Sequence, residues 1–158
     1  MIKRKNNIEE AWADIDTQLK KRFDLVPNLV AVAKKYMEHE KDVFEQVTRL
    51  RAHIKPNANT RIKDELQFGA AINNLMVHVE NYPELKADKQ MLSLQKSLTE
   101  IEEHIAAARR FYNSSVTDLN NVIKIFPGNL IAFILGIKHK EYYQAEKIAH
   151  QNPKVLYE

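Results

Sequence analysis

The chain of 158 residues contains no cysteine, so disulfides and thiolate metal sites are excluded and no redox compartment is implied. Glycine is almost as scarce. Gly69, Gly128 and Gly136 lie too far apart to build a loop that cradles a phosphate. With five prolines besides, few positions invite a turn. No apolar run approaches the roughly 20 residues needed to span a bilayer. The longest, "LIAFILGI" from Leu130 to Ile137, falls far short, and the opening "MIKRKNN" lacks the apolar stretch of a secretory signal. Strand-like alternation is also missing, which argues against a sheet. The net charge of +3 is mild: it permits attraction to an anionic surface without arguing for one. The chain as given reads as soluble.

What is present is helical periodicity. From Ile8 to Ile54 the apolar positions Ile8, Trp12, Ile15, Leu19, Phe23, Val26, Val30, Ala33, Met37, Phe44, Val47, Leu50 and Ile54 recur mostly every three or four residues, as on one buried face of a helix. The phase runs across Pro27, so a helix kinked there fits better than a loop, which would reset it. Proline cannot donate to the carbonyl of Phe23; Arg22 or Asn28 is the expected replacement donor. Alternatively, Asp24 caps a helix that restarts at Pro27. Glu40 interrupts the stripe.

"KPNANT" (55–60) breaks the chain, with Thr60 as the expected cap of a second helix carrying Ile62, Leu66, Gly69, Ile72, Met76 and Val79. Gly69 in its middle points to close backbone packing. Pro83 ends it, and Asp88 caps a third helix with a coiled-coil-like seam: Met91, Leu94, Leu98, Ile101, Ile105, Ala108, Tyr112, Ser115, Leu119, Val122 and Phe126. "FPGN" (126–129) turns into a final helical stretch over 130–149, with a break near Gly136. The expected fold is all-α: an antiparallel up-and-down four-helix bundle with long first and third helices, the first kinked near Pro27. It forms one domain over 1–150, and 151–158 is an extended tail.

Chemistry is harder to find. A di-iron bundle needs Glu-x-x-His, yet Tyr36, Leu50, Leu75, Ile101, Gly136 and Lys147 stand three before the histidines. No metal ligand set, cofactor site or catalytic residue is expected, and the chain reads as a non-enzyme. Lys and Arg are interleaved with acids on outer faces, which speaks against nucleic acid. One constellation remains: Arg22, Arg51 and Arg109 beside the stripes, with the amides of Asn28, Asn113 and Asn120 inside helices. Buried guanidiniums must be paired or hold an anion. Asp14 and Asp16 are candidate partners; the alternative is an arginine-lined cleft for a small anion, with Arg22, Arg51, Arg109, Asn28 and Asn113 as its residues, in a bundle that would then be a binder or an enzyme. A second candidate is "LIAFILGIKHKEYY", where an apolar run with Phe133 and Ile134 leads into Lys138, Lys140, Tyr142 and Tyr143, a pattern for a membrane interface or a partner helix. A buried end-cap of the bundle would carry the same pattern. Lys3, Arg4 and Lys5 are further candidates for membrane or partner contact.

"EEAWADIDTQLKKRFDLVPNLVAVAKKYMEHE" (9–40), "IAAARRFYNSSVTDLNNVIKIFPGNLIAFILG" (105–136) and the closing "PKVLYE" together resemble the LemA family of bacterial proteins. The resemblance implies a four-helix bundle, no established enzymatic activity, and a membrane-associated scaffold or protein-interaction role, since relatives include a magnetosome-formation protein. The implied partners are other proteins and the membrane surface. Two departures stand out. Family members usually begin with a transmembrane helix, which these residues lack, and position 137 is isoleucine where the pattern tends to an aromatic. With an anchor ahead of it, the basic cluster at Lys3 to Lys5 would put the bundle on the cytoplasmic side of the bacterial cell membrane.

Overall fold

The computed structural model describes residues 1–54 and 61–143, so the expected cap Thr60 and the tail 151–158 lie outside the described residues. Every regular element among the described residues is helical: α1 (Ile2–Ala33), α2 (Lys41–His53), α3 (Arg61–Val79), α4 (Pro83–Ala87), α5 (Lys89–Lys124) and α6 (Gly128–Ile134). The four-helix expectation is therefore corrected to six helices among the described residues. The first expected helix divides in two, a short α4 intervenes, and the last helix stops early.

The division has a local cause. After Ala33 the amides reach back three residues instead of four, Lys35 to Val32 at 3.2 Å and Tyr36 to Ala33 at 3.0 Å. This turn drives Met37 into the core, 1% exposed, and leaves Glu38 and His39 outside. α2 then folds back along α1. Lys34 lies over the Phe44 ring, and further along Arg51 lies over the Phe23 ring. The apolar phase survives the reversal because both arms of the helical hairpin bury their stripes in the same core, with α3 packed against α2 and also touching α1.

α1 continues through Pro27. The carbonyl that proline leaves without a donor is that of Phe23, and Arg51 supplies the missing bond from another helix. Its Nε donates to the Phe23 oxygen at 3.2 Å, and its guanidinium carbon sits 3.9 Å from the Phe23 ring centroid. Neither Arg22 nor Asn28 does this: Arg22 is engaged elsewhere, and Asn28 is exposed.

α5 begins where Asp88 suggests. Its carboxylate accepts from the amides of Gln90 and Met91 at 2.8 and 2.9 Å, a side-chain cap on the exposed helix start. α5 runs antiparallel to α1 and packs along it. Three apolar layers follow one another along this pair. Ile8, Val116 and Leu119 form the first, Ile15, Leu19, Ile105 and Tyr143 the second, and the large third joins the end of α1 to α2, α3, α4 and the start of α5. Each fully buried aliphatic side chain in them contributes about 1.5–3 kcal/mol.

α6 ends sooner than its apolar letters suggest. Gly136 adopts a φ of +63°, which closes the helix, and the Ile137 amide bonds back to the Ala132 carbonyl at 2.9 Å. Residues 137–143 then run without helix or strand beside α5. The expected helical continuation beyond Gly136 does not form over these residues.

Candidate functional site

Arg22 faces the core, 2% exposed, at the step between the second and third apolar layers. Its Nη2 donates to the Glu65 carboxylate at 2.8 Å and to the Glu65 carbonyl at 3.0 Å, and its Nη1 donates to Glu102 at 3.1 Å. Glu65 is itself 3% exposed, whereas Glu102 lies at the surface edge. The guanidinium also stands 5.6 Å from the Phe68 ring centroid. Gly69 makes the arrangement fit: a Cβ there would come within 3.0 Å of Arg22 Nη1. The close packing expected at this glycine is with an arginine side chain. Asp16, one of the two expected acidic partners, pairs with Arg61 instead.

A cavity of about 270 Å³ opens beside the pair, and Arg109 and Asn73 line it with Arg22, Glu65, Gly69 and Glu102. Arg22 and Arg109 are thus brought together. Arg51 is not; it lines a separate notch of about 280 Å³ beside Pro27. The Arg109 guanidinium lies 4.8 Å from the Tyr143 ring centroid. Two carboxylates already stand against Arg22, so the cleft offers an incoming anion little uncompensated positive charge there.

Asn113 has a different task. Its amide nitrogen donates to the Tyr143 carbonyl at 3.1 Å, and its amide oxygen accepts from the Tyr143 N–H at 2.8 Å. Asn120 holds Lys140 in the same way, at 2.9 and 3.0 Å. The two amides bind residues 137–143 to α5.

The second candidate surface gathers at one end of the molecule. Arg4 donates to the Asp118 carbonyl at 3.1 Å, which ties the start of α1 to the end of α5. Lys3 and Lys5 are exposed beside it, Lys5 in a surface pair with Glu9. From this end α6 projects, seated through Gly128 and Ala132 only. A Cβ at Gly128 would strike the Val122 carbonyl at 2.1 Å, so only glycine allows this approach. The outward side chains are apolar: Phe133 is 85% exposed, Phe126 76% and Ile134 72%, with Ile125, Leu130 and Leu135 exposed around them. Tyr142 is half-exposed on the neighbouring segment, its hydroxyl accepting from Thr117. Residues 1–8 and 119–140, which make this end, include Lys3, Arg4, Lys5, Lys124, Lys138 and Lys140 and no Asp or Glu. Sequence reading missed Ile125 and Phe126, which continue the α5 stripe in letters but emerge past the helix end.

Among the described residues, no group of three or more His, Asp or Glu side chains is placed to hold a metal, and no helix is long and apolar enough to cross a membrane. Fold and surfaces together define an all-helical module with a paired polar belt inside and one apolar, basic end. The chain belongs to the LemA family, whose profile matches residues 11–157. It is similar to "Magnetosome protein MamQ 2" of Paramagnetospirillum magneticum, 40% identical over 86 residues, and to "Magnetosome protein MamQ" of Magnetospirillum gryphiswaldense, 35% identical over 86 residues. Each match covers 54% of this chain and 31% of the relative, so the matched stretch spans about a third of those magnetosome proteins. "Protein LemA" of Metamycoplasma hominis is 24% identical over 151 residues, 94% of this chain and 69% of that one.

Proposed function

We propose that this protein is a non-enzymatic, membrane-associated scaffold whose α6 end rests on an anionic bilayer surface. The observation that carries the reading is the exposed apolar cluster around Phe133 and Ile134, set among residues 1–8 and 119–140, which hold six Lys or Arg and no Asp or Glu, with Glu9, Asp118 and Glu141 at their border. Burying such side chains in the interface gains free energy in proportion to apolar area, and neighbouring cations are drawn to anionic headgroups. Kinship with magnetosome proteins favours an organising role over a catalytic one. Because the start of α1 lies at this same end, a membrane segment ahead of it would meet the bilayer face that α6 touches. The basic residues favour the cytoplasmic side.

Flotation with vesicles tests this. Binding is expected to phosphatidylcholine vesicles that contain phosphatidylserine, and to weaken as salt screens the cations. Phe133→Ser with Ile134→Ser, or Lys124→Glu with Lys138→Glu, should each weaken it about tenfold or more. Absence of binding to these vesicles at low salt would refute the reading. Self-association through the same patch, seen as an oligomer that Phe133→Ser dissolves, would replace it.

A further inference from the structure

Asn113 and Asn120 stand seven residues apart on α5, two turns or about 10.5 Å. The residues they hold, Tyr143 and Lys140, are three apart on a segment running the opposite way, about 10 Å when extended. Helix and segment therefore share a repeat. Each amide pairs with both the N–H and the carbonyl of one residue, groups that every amino acid except proline supplies. Selection by side chain falls on one position. Tyr143, 2% exposed, has its ring centroid 6.0 Å from that of Trp12 and 6.4 Å from that of Tyr112, and the Arg109 guanidinium lies against it. Gly136 joins the segment to α6 at a φ of +63°, and rotation at this glycine, at the loss of the Ile137–Ala132 bond, would swing the segment away from α5.

We propose that the groove between α1 and α5 is a receptor for an extended polypeptide with an aromatic anchor, and that two copies of this chain use it reciprocally. The 137–143 segment of one copy then sits in the groove of the other. This occupant follows from what is already seated there. The four clamp bonds from Asn113 and Asn120 and the aromatic seat of Tyr143 are available in a second copy as in its own, so exchange is opposed mainly by the entropy of association and gains with concentration. The proposal does not depend on membrane binding.

The test uses the full chain with Tyr143→Ala, which loosens the resident segment and leaves the groove intact, and a labelled peptide of sequence IKHKEYY. The peptide should bind this variant about tenfold or more tightly than the unmodified chain, whose tethered segment competes at a high effective concentration. Adding Asn113→Ala and Asn120→Ala should abolish binding. Two differently tagged populations of the unmodified chain, mixed and warmed, should yield mixed dimers in native mass spectrometry. Circular dichroism checks folding, and if Tyr143→Ala loses its helices, Lys140→Pro, which removes one clamp donor, takes its place. A folded variant that ignores the peptide overturns the receptor. Peptide binding without mixed dimers overturns the exchange between copies.

Discussion

At the scale of single residues, two arginines do structural work that their charge alone would not suggest. Arg22 is buried against Glu65, and removing the carboxylate leaves a guanidinium in the core with its other partner at the surface edge. Glu65→Ala should cost about 3 kcal/mol or more, because an uncompensated buried charge is the expensive case. Glu102→Ala, at a half-exposed position, should cost less than about 1 kcal/mol. Urea unfolding of the two variants checks the ordering. Arg51 and Pro27 form a cycle of their own. Arg51→Ala strips the Phe23 carbonyl of its donor, and Pro27→Ala restores one from the helix itself. We expect Arg51→Ala to cost about 1–2 kcal/mol alone and less in the Pro27→Ala background, the remainder reflecting the lost contact with the Phe23 ring. Additive costs in the double variant would contradict this role for Arg51. The burial of Arg22 was visible in the letters as spacing: 15, 19, 22, 26 alternates steps of four and three without fault. Choosing the apolar Phe23 over its charged neighbour hid it. The partners Glu65 and Glu102 come from other helices, and no local pattern announces them.

At the scale of elements, the start of α5 is the clearest success of local rules. An aspartate before a regular seam implies a cap, and Asp88 makes one. Its bond from the Met91 amide, followed by that from the Tyr36 hydroxyl, holds its pKa below the ordinary 3.8. Tyr36 is pushed above 10.0, chiefly by the same bond with Asp88. The signs follow from linkage. A carboxyl lowered on folding contributes stability that is full above its unfolded value and is lost as the pH falls through the folded one. A phenol raised on folding contributes below 10.0 and loses that contribution as the pH rises. The stability gap between the parent chain and Asp88→Ala should thus be widest between about pH 5 and pH 9 and narrow on both sides. Tyr36→Phe should abolish the alkaline narrowing and shrink the acid one, where the bond from the Met91 amide remains. Urea titrations across this range decide the matter. The turn after Ala33 was less legible, because a helical hairpin that buries both arms in one core preserves the apolar phase. Only Glu40 marked the interruption. The segment after Gly136 was less legible still, since its anchors are main-chain groups and leave no side-chain pattern of their own.

At the scale of the whole molecule, the all-helical class followed from the periodicities, while the number and reach of the helices did not. Connections such as Lys34–Glu40 are set by which faces meet in three dimensions, and one-dimensional spacing carries little of that information. The same holds for the surfaces. Basic and apolar letters at the two chain regions forming the α6 end are unremarkable apart; the antiparallel pairing of α1 with α5 sums them into one patch. That pairing has a mechanical outcome. α1 and α5 are each about 50 Å long, and the large core with its Pro27 notch sits at the extremity opposite α6. With α6 resting on a lipid surface as proposed, the Pro27 notch would stand up to about 50 Å away from the headgroups, the protein acting as a spacer of that reach.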